Sequence, residues 1–194
     1  MTEPTGRRER KKAQTRKALA DAALALFLER GYDDVGVREV AEAADVSVTT
    51  LFKYFPSKEA LVFDIDQEVE AALVAAVRDR APGQPVLGAL REHILHRVTV
   101  VAGYPHAPAF TRMIENTPAL REYARRMWLR HETALAQAIA AELDAPEGDV
   151  ACAALARFAL EAVELAHRHP DPTEAVEVIF TMLERGWAAT SPDA

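Results

Sequence analysis

One cysteine, Cys152, stands in 194 residues. A single thiol excludes an internal disulfide and any zinc cluster built on cysteine pairs, and it suits a reducing compartment. Long apolar runs are missing as well. None approaches the ~20 residues that a membrane-spanning helix needs, and the N-terminal MTEPTGRRERKK lacks the apolar core of a secretory signal. A cytoplasmic protein with no membrane partner is expected. No segment alternates apolar and polar residues long enough to form a strand, and no internal repeat is visible. There is no G-x-S-x-G, no P-loop and no Cys–His pair in a supporting context, so no catalytic residue and no cofactor is expected. Turnover of a small molecule by the middle of the chain is kept as a second class.

An excess of positive charge is also absent, since the formal net charge is −7. Its distribution decides what that means. Residues 1–60 carry 11 Lys or Arg against 10 Asp or Glu, whereas residues 61–194 carry 12 against 20. Residues 1–17 alone hold seven basic side chains and two acidic ones. The acidity thus belongs to the C-terminal two-thirds, and the N-terminal arm is a local footprint for phosphates. Alone, Arg7 to Lys17 reads equally well as a solvated helix start.

What the chain does contain is a dense set of helix signals between Gly36 and Lys58. Gly36 stands at an N-cap with Glu39 at N3, where a carboxylate meets the positive end of the helix dipole. Val37, Val40, Ala41 and Ala44 share one face of that helix. Asp45 is a residue type that tolerates the left-handed turn which must follow. Ser47 caps a second helix, with Val46 and Leu51 at the spacing of a hydrophobic staple. Pro56 ends it and Ser57 caps the next. Leu51 and Phe55 point inward with Val40 and Val46. Val48, Thr49, Thr50, Phe52, Lys53 and Tyr54 are left on the outer face and flanks. Methyl, hydroxyl and amino groups so placed suit base edges and phosphate oxygens in a major groove. This is helix-turn-helix geometry with the second helix as reader.

The segment RKALADAALALFLERGYDDVGVREVAEAADVSVTTLFKYFPSKEAL, Arg16 to Leu61, resembles the DNA-binding domain of TetR/AcrR-type transcriptional regulators, and VSVTTLFKYFPSKEAL is its most specific part. The resemblance implies DNA contacts from Arg38 on the first motif helix, from Ser47, Val48, Thr49, Thr50, Lys53 and Tyr54 on the reading helix, and from Lys58 at the start of the next. Two positions depart from the family pattern. Gly36 replaces the usual Thr or Ser and so lacks a cap hydroxyl. Val48 replaces a residue that is more often polar, which puts any hydrogen-bonded readout there in doubt. Downstream, the likeness to the family's helical regulatory domain lies only in length and helix content.

The remaining chain is expected to be all-α, about nine helices in total, divided into a helix-turn-helix domain over 1–56 with its basic arm and an effector-binding and dimerisation domain over 57–194. Residues 1–9 are expected to be disordered. A first helix spans about Arg10 to Arg30, with Leu19, Ala22, Ala23, Leu26 and Phe27 inward and Gly31 just past its end. From Ser57 one long helix should reach about Arg80, with Leu61, Ile65, Val69, Leu73, Ala76 and Val77 on its buried face. Further helices follow over about 86–102, 109–115, 118–143 and 147–168. A last one opens at Asp171 with Pro172 at N1 and Glu174 at N3, and ends near Trp187.

The middle of the chain is where the family resemblance places an effector cavity. Phe110, Met113, Trp128 and Phe158 are candidate walls, and His93, His96, Tyr104, Arg112 and His131 candidate polar contacts. Each aromatic reads singly as core. His93 with His96, and His167 with His169, could instead serve a metal-responsive regulator, although neither pair has a Cys or an H-E-x-x-H partner pattern. Leu155, Ala159, Ala162, Val163 and Ala166, facing Val176, Ile179, Met182 and Leu183, are candidates for a homodimer interface built as a four-helix bundle. The competing expectation is that these faces only seal the monomer. The resulting expectation is a repressor of double-stranded DNA with a palindromic operator, acting as a homodimer and released by an unknown small-molecule effector.

Overall fold

The computed structural model describes residues 4–190. Among them are ten helices: α1 (Pro4–Arg30), α2 (Val37–Ala43), α3 (Val48–Tyr54), α4 (Lys58–Val62), α5 (Asp66–Arg78), α6 (Val86–Ala102), α7 (Ala107–Asn116), α8 (Pro118–Glu142), α9 (Val150–Arg168) and α10 (Pro172–Thr190). The all-α expectation holds among these residues. The chain parts into two compact units. The first runs up to Ile65 and takes in Pro108–Tyr123, and the second comprises Asp66–Ala107 with the chain from Ala124 onward.

Two expectations about helix limits need correction. The helix α1 begins at Pro4, so residues 4–9 are helical and not disordered; residues 1–3 lie outside the described residues. Glu, Arg and Lys from Arg7 on are strong helix formers, and Gly6 alone does not stop propagation. The long helix from Ser57 to Arg80 is two helices, broken at residues 63–65. The apolar period runs through the break, but tertiary contacts override it. Phe63 turns aside to stack on Tyr123, ring centroids 5.2 Å apart, and the Asp64 carbonyl accepts a hydrogen bond from the Arg16 guanidinium. Ile65, expected on the buried face, is 55% exposed.

In the first unit, Leu19, Ala23 and Phe27 of α1 lie beneath Val40, Ala41, Leu51 and Phe55, all buried, and Leu61 and Leu120 complete the core. These side chains fix α2 and α3 against α1. In the second unit, α5, α6, α9, α10 and the C-terminal part of α8 enclose Leu73, Leu90, Ile94, Leu135, Ile139, Ala159, Val163, Val176 and Phe180. The last helix opens as its sequence suggests, since the Asp171 Oδ1 accepts from the N–H groups of Thr173 and Glu174, each at 3.0 Å.

Candidate nucleic-acid interface

The geometry of α2 and α3 is set by local chemistry. Gly36 offers no hydroxyl, so half of a capping box forms: Glu39 Oε2 accepts from the Gly36 N–H at 2.8 Å. Its other oxygen takes Arg30 Nη1 at 2.6 Å. The Gly36 N–H and then Arg30 hold the Glu39 carboxyl below the usual carboxylate range. Asp45 carries the left-handed turn at φ 52°. Ser47 Oγ then accepts from the Thr50 N–H at 3.1 Å and lies 2.9 Å from the Thr50 hydroxyl.

Along α3, Leu51 and Phe55 face inward with no more than 1% exposure, and the opposite side is left to solvent. Ser47, Thr49 and Lys53 are exposed, as is Arg38 on α2. Phe52 stands 47% exposed between Thr49 and Lys53. Val48, Thr50 and Tyr54 are half-buried, Val48 and Tyr54 packing on the edge of the first core. One helix face therefore presents hydroxyl, phenyl and ammonium groups together.

Lys58 is placed differently. Its Nζ donates to the Tyr32 carbonyl and sits 4.0 Å from the centroid of the Tyr32 ring and 5.5 Å from that of Phe27. Burial lowers the Lys58 pKa, against the opposing pull of Asp33 and Glu59. Tyr32 in turn donates its hydroxyl to Glu59 Oε1 at 3.0 Å, and burial, then Glu59, raise its pKa.

Arg16 was not singled out in the sequence, where it is one more member of the basic run. Its Nη1 donates to the Tyr54 carbonyl at 3.2 Å, at the end of α3, and its guanidinium lies 4.5 Å from the Phe55 centroid. A cation on the last carbonyls of a helix opposes the negative end of the dipole. The signal was available: Arg16 is three residues before Leu19, on the stripe that faces inward. Arg10, Lys11 and Lys12 are by contrast exposed.

The expected effector residues go to different places. Phe110 and Met113 pack against the core of the first unit. Trp128 packs on the core of the second, where His131, 1% exposed, meets it edge-on at 5.4 Å. His131 Nε2 is 2.7 Å from Asp66 Oδ1. Tyr104 and Phe158 are 62% and 52% exposed, Arg112 and His96 are exposed, and His93 is half-buried. Two open depressions of about 560 and 570 Å³ lie in the second unit instead. Asp66, Glu70, Arg130 and Gln137 border the first, and Ala136, Ala140, Cys152 and Ala153 the second; none of the nine expected residues lines either. Among the described residues no group of three or more His, Cys, Asp or Glu is placed to hold a metal ion.

The expected dimer face is corrected. Leu155, Ala159, Ala162, Val163, Ala166 and Val176 are at most 3% exposed within a single chain, and Ile179 and Leu183 pack against the same core. They seal the monomer. Of the nine, Met182 alone is exposed, at 68%. Among the described residues, the large apolar side chains that α9 and α10 leave on the surface are Val150 (80%, at the first position of α9), Phe158 (52%), Leu165 (47%), Val178 (54%) and Met182.

Comparison with known proteins follows the same division. Residues 19–65 match the family described as bacterial regulatory proteins, tetR family. The chain is 36% identical over 133 residues to the HTH-type transcriptional regulator TcmR of Streptomyces glaucescens, a match covering 62% of this chain and 57% of that protein. The chain thus spans little more than half the length of that curated relative. In architecture it is similar to NalD, the secondary repressor of the MexAB-OprM multidrug efflux pump in Pseudomonas aeruginosa, with TM-score 0.61, 21% identity and coverage of 91% and 96% of the two chains. It is also similar to FadR of Thermus thermophilus, a TetR-family repressor in complex with lauroyl-CoA, with TM-score 0.56, 27% identity and coverage of 88% and 94%. No helix among the described residues is long and apolar enough to cross a membrane.

Proposed function

We propose, for a chain whose N-terminal domain belongs to the TetR family of bacterial regulatory proteins, that it is a ligand-responsive transcriptional repressor that binds a palindromic operator as a homodimer. The observation that carries this reading is the outer face of α3, where Thr49, Phe52 and Lys53 stand exposed over a buried Leu51 and Phe55. Thr49 and Thr50 would contact bases, and Ser47, Lys53 and Tyr54 phosphates or base edges, with Arg38 reaching in from α2. Val48, half-buried, would contribute at most a methyl contact. Lys58 would act on DNA through the donors that Tyr32 does not use.

One reading helix specifies only a few base pairs, and a two-fold pair spaced by about one helical turn multiplies that specificity. The surface that supports such pairing is the exposed Phe158, Leu165, Val178 and Met182 of α9 and α10. These residues replace the face expected from periodicity. An isologous contact of two helices per copy makes a four-helix bundle.

The second unit would receive the effector. Binding there moves the DNA equilibrium only by its differential affinity for the DNA-bound and released forms. The similarity to FadR, which is complexed with lauroyl-CoA, supports a small-molecule effector of some kind. A mobility-shift assay on DNA flanking the gene, repeated with a metabolite panel, tests the whole reading. Retardation relieved by one compound supports it, and failure to retard any duplex at low salt ends it.

A further inference from the structure

We propose that Arg97, with His93 and His167 beside it, forms an anion-binding site in the second unit that takes the carboxylate of a small organic acid. This deepens the regulator reading and rests on it, because it gives the effector a charge and a place.

The helix α6 buries Leu90, Ile94 and Val98 completely, each at 0% exposure. Arg97 stands next to that stripe and is only partly exposed, with its Nε wholly buried and without a hydrogen-bond acceptor among the described residues. Four other arginines of this unit have a carboxylate: Arg80 has Glu142, Arg91 has Glu177 and Glu184, Arg130 has Asp66, and Arg157 has Glu132. Arg78 and Arg185 have none among the described residues but stand exposed to solvent, as Arg97 does not. Arg97 has none among the described residues, in a sequence with 30 acidic side chains. Its isolation is not a matter of scarcity.

The groups around it add no negative charge. His93 lies one turn earlier on α6, and His167 comes from α9, which packs against α6. Burial, and after it the charge of Arg97, pull both imidazoles below the ordinary histidine pKa, so each of the two feels the Arg97 charge. Glu164 is the carboxylate felt by His167, and it is already paired with Arg168 at 2.6 Å. A partly buried cation left without a counter-charge is costly, and a planar carboxylate accepting from its fork is the partner that guanidinium geometry fits best. Neutral imidazoles can each add one N–H donor. Further along α6, Val100, 44% exposed, lies about one turn beyond Arg97 and suits an apolar body.

Titration calorimetry on the full chain tests this with benzoate and hexanoate against benzamide and hexanamide, which keep the shape and remove the charge. The expected result is saturable binding of at least one acid, with its amide weaker by about tenfold or more. The Arg97→Gln chain should lose the acid by a similar factor, Arg97→Lys should keep part of it, and Arg157→Gln should match the wild type. If Arg97→Gln does not fold, His167→Gln should still weaken the acid relative to the wild type while leaving the amide unchanged. Equal affinity for acid and amide, no binding of either, or acid binding that survives Arg97→Gln overturns the site. So does an Arg97→Gln chain that binds acid normally but changes its dimer mass, which would assign the missing carboxylate to a second copy. A wild type that binds acid but no duplex DNA keeps the site and loses the regulator reading; one that binds DNA and no acid does the reverse.

Discussion

The guanidinium of Arg16 joins the start of the fold to the end of its reading helix, donating to the Tyr54 carbonyl at 3.2 Å while lying 4.5 Å from the Phe55 ring centroid. It also holds the carbonyl of Asp64 in the break between α4 and α5. A single side chain thus satisfies two backbone acceptors that no helix bond reaches.

Replacing Arg16 by Ala should therefore cost about 1–3 kcal/mol of stability in the first unit and weaken binding to every duplex alike. Arg10→Ala and Lys12→Ala, on the exposed arm, should leave the melting temperature unchanged and only lower the salt dependence. Thermal unfolding alongside anisotropy at several salt concentrations separates the two. An Arg16→Ala chain that melts like wild type contradicts the positioning role.

At the other end of α3, Ser47→Ala removes the acceptor of the Thr50 N–H and should cost about 1 kcal/mol. Thr50 spends its hydroxyl on Ser47, whereas the exposed Thr49 makes no such contact among the hydrogen bonds described. Thr49→Ala should hence lose about 1–3 kcal/mol of preference for operator over random DNA, with a smaller loss for Thr50→Ala. Competition binding with both duplexes measures this. Equal losses on operator and random DNA would remove the base-contact assignment.

Lys58 has one donor on Tyr32 and its charge over two rings. Lys58→Ala should lower the stability of the first unit by about 1 kcal/mol and flatten the salt slope by about one unit. A fall in melting temperature with an unaltered slope would make Lys58 purely internal.

Phe158→Glu combined with Met182→Glu should yield monomers in light scattering with little change in melting temperature, since both side chains are exposed in the single chain. Leu155→Ala, in the core, should cost about 2–5 kcal/mol instead. A dimeric mass for the double Glu variant would move the interface elsewhere.

Burial, and then Asp149, push the Cys152 thiol up to about 11. Below that value the thiol stays protonated, so the nucleophilic thiolate is scarce at neutral pH. Iodoacetamide should leave Cys152 untouched in the native chain and alkylate it on denaturation, and mild peroxide should not alter DNA binding. Rapid native alkylation would show that the helix α9 opens.

The features legible in the sequence were those fixed within a few residues. The caps at Ser47 and Asp171 and the left-handed Asp45 depend on neighbours three positions away, and they stand where the sequence put them. The break at residues 63–65 was not legible, because Phe63 is drawn off by Tyr123, 60 residues along. Periodicity also told only that Leu155 and Val163 face something apolar. It could not say whether that was the same chain or another, and packing decided for the same chain. The pocket was no more legible, for a related reason: an aromatic in a helix reads the same whether it walls a cavity or, as with Phe110, packs against a core.

Selection of duplexes from a random library with the purified chain, followed by anisotropy at low salt for wild type and Thr49→Ala, tests most directly whether α3 reads DNA. An enriched inverted repeat with half-sites about one helical turn apart, bound with less discrimination by Thr49→Ala, is the predicted result. A pool that stays random after repeated rounds, or a repeat that Thr49→Ala and Lys53→Ala bind as tightly and selectively as wild type, would contradict it.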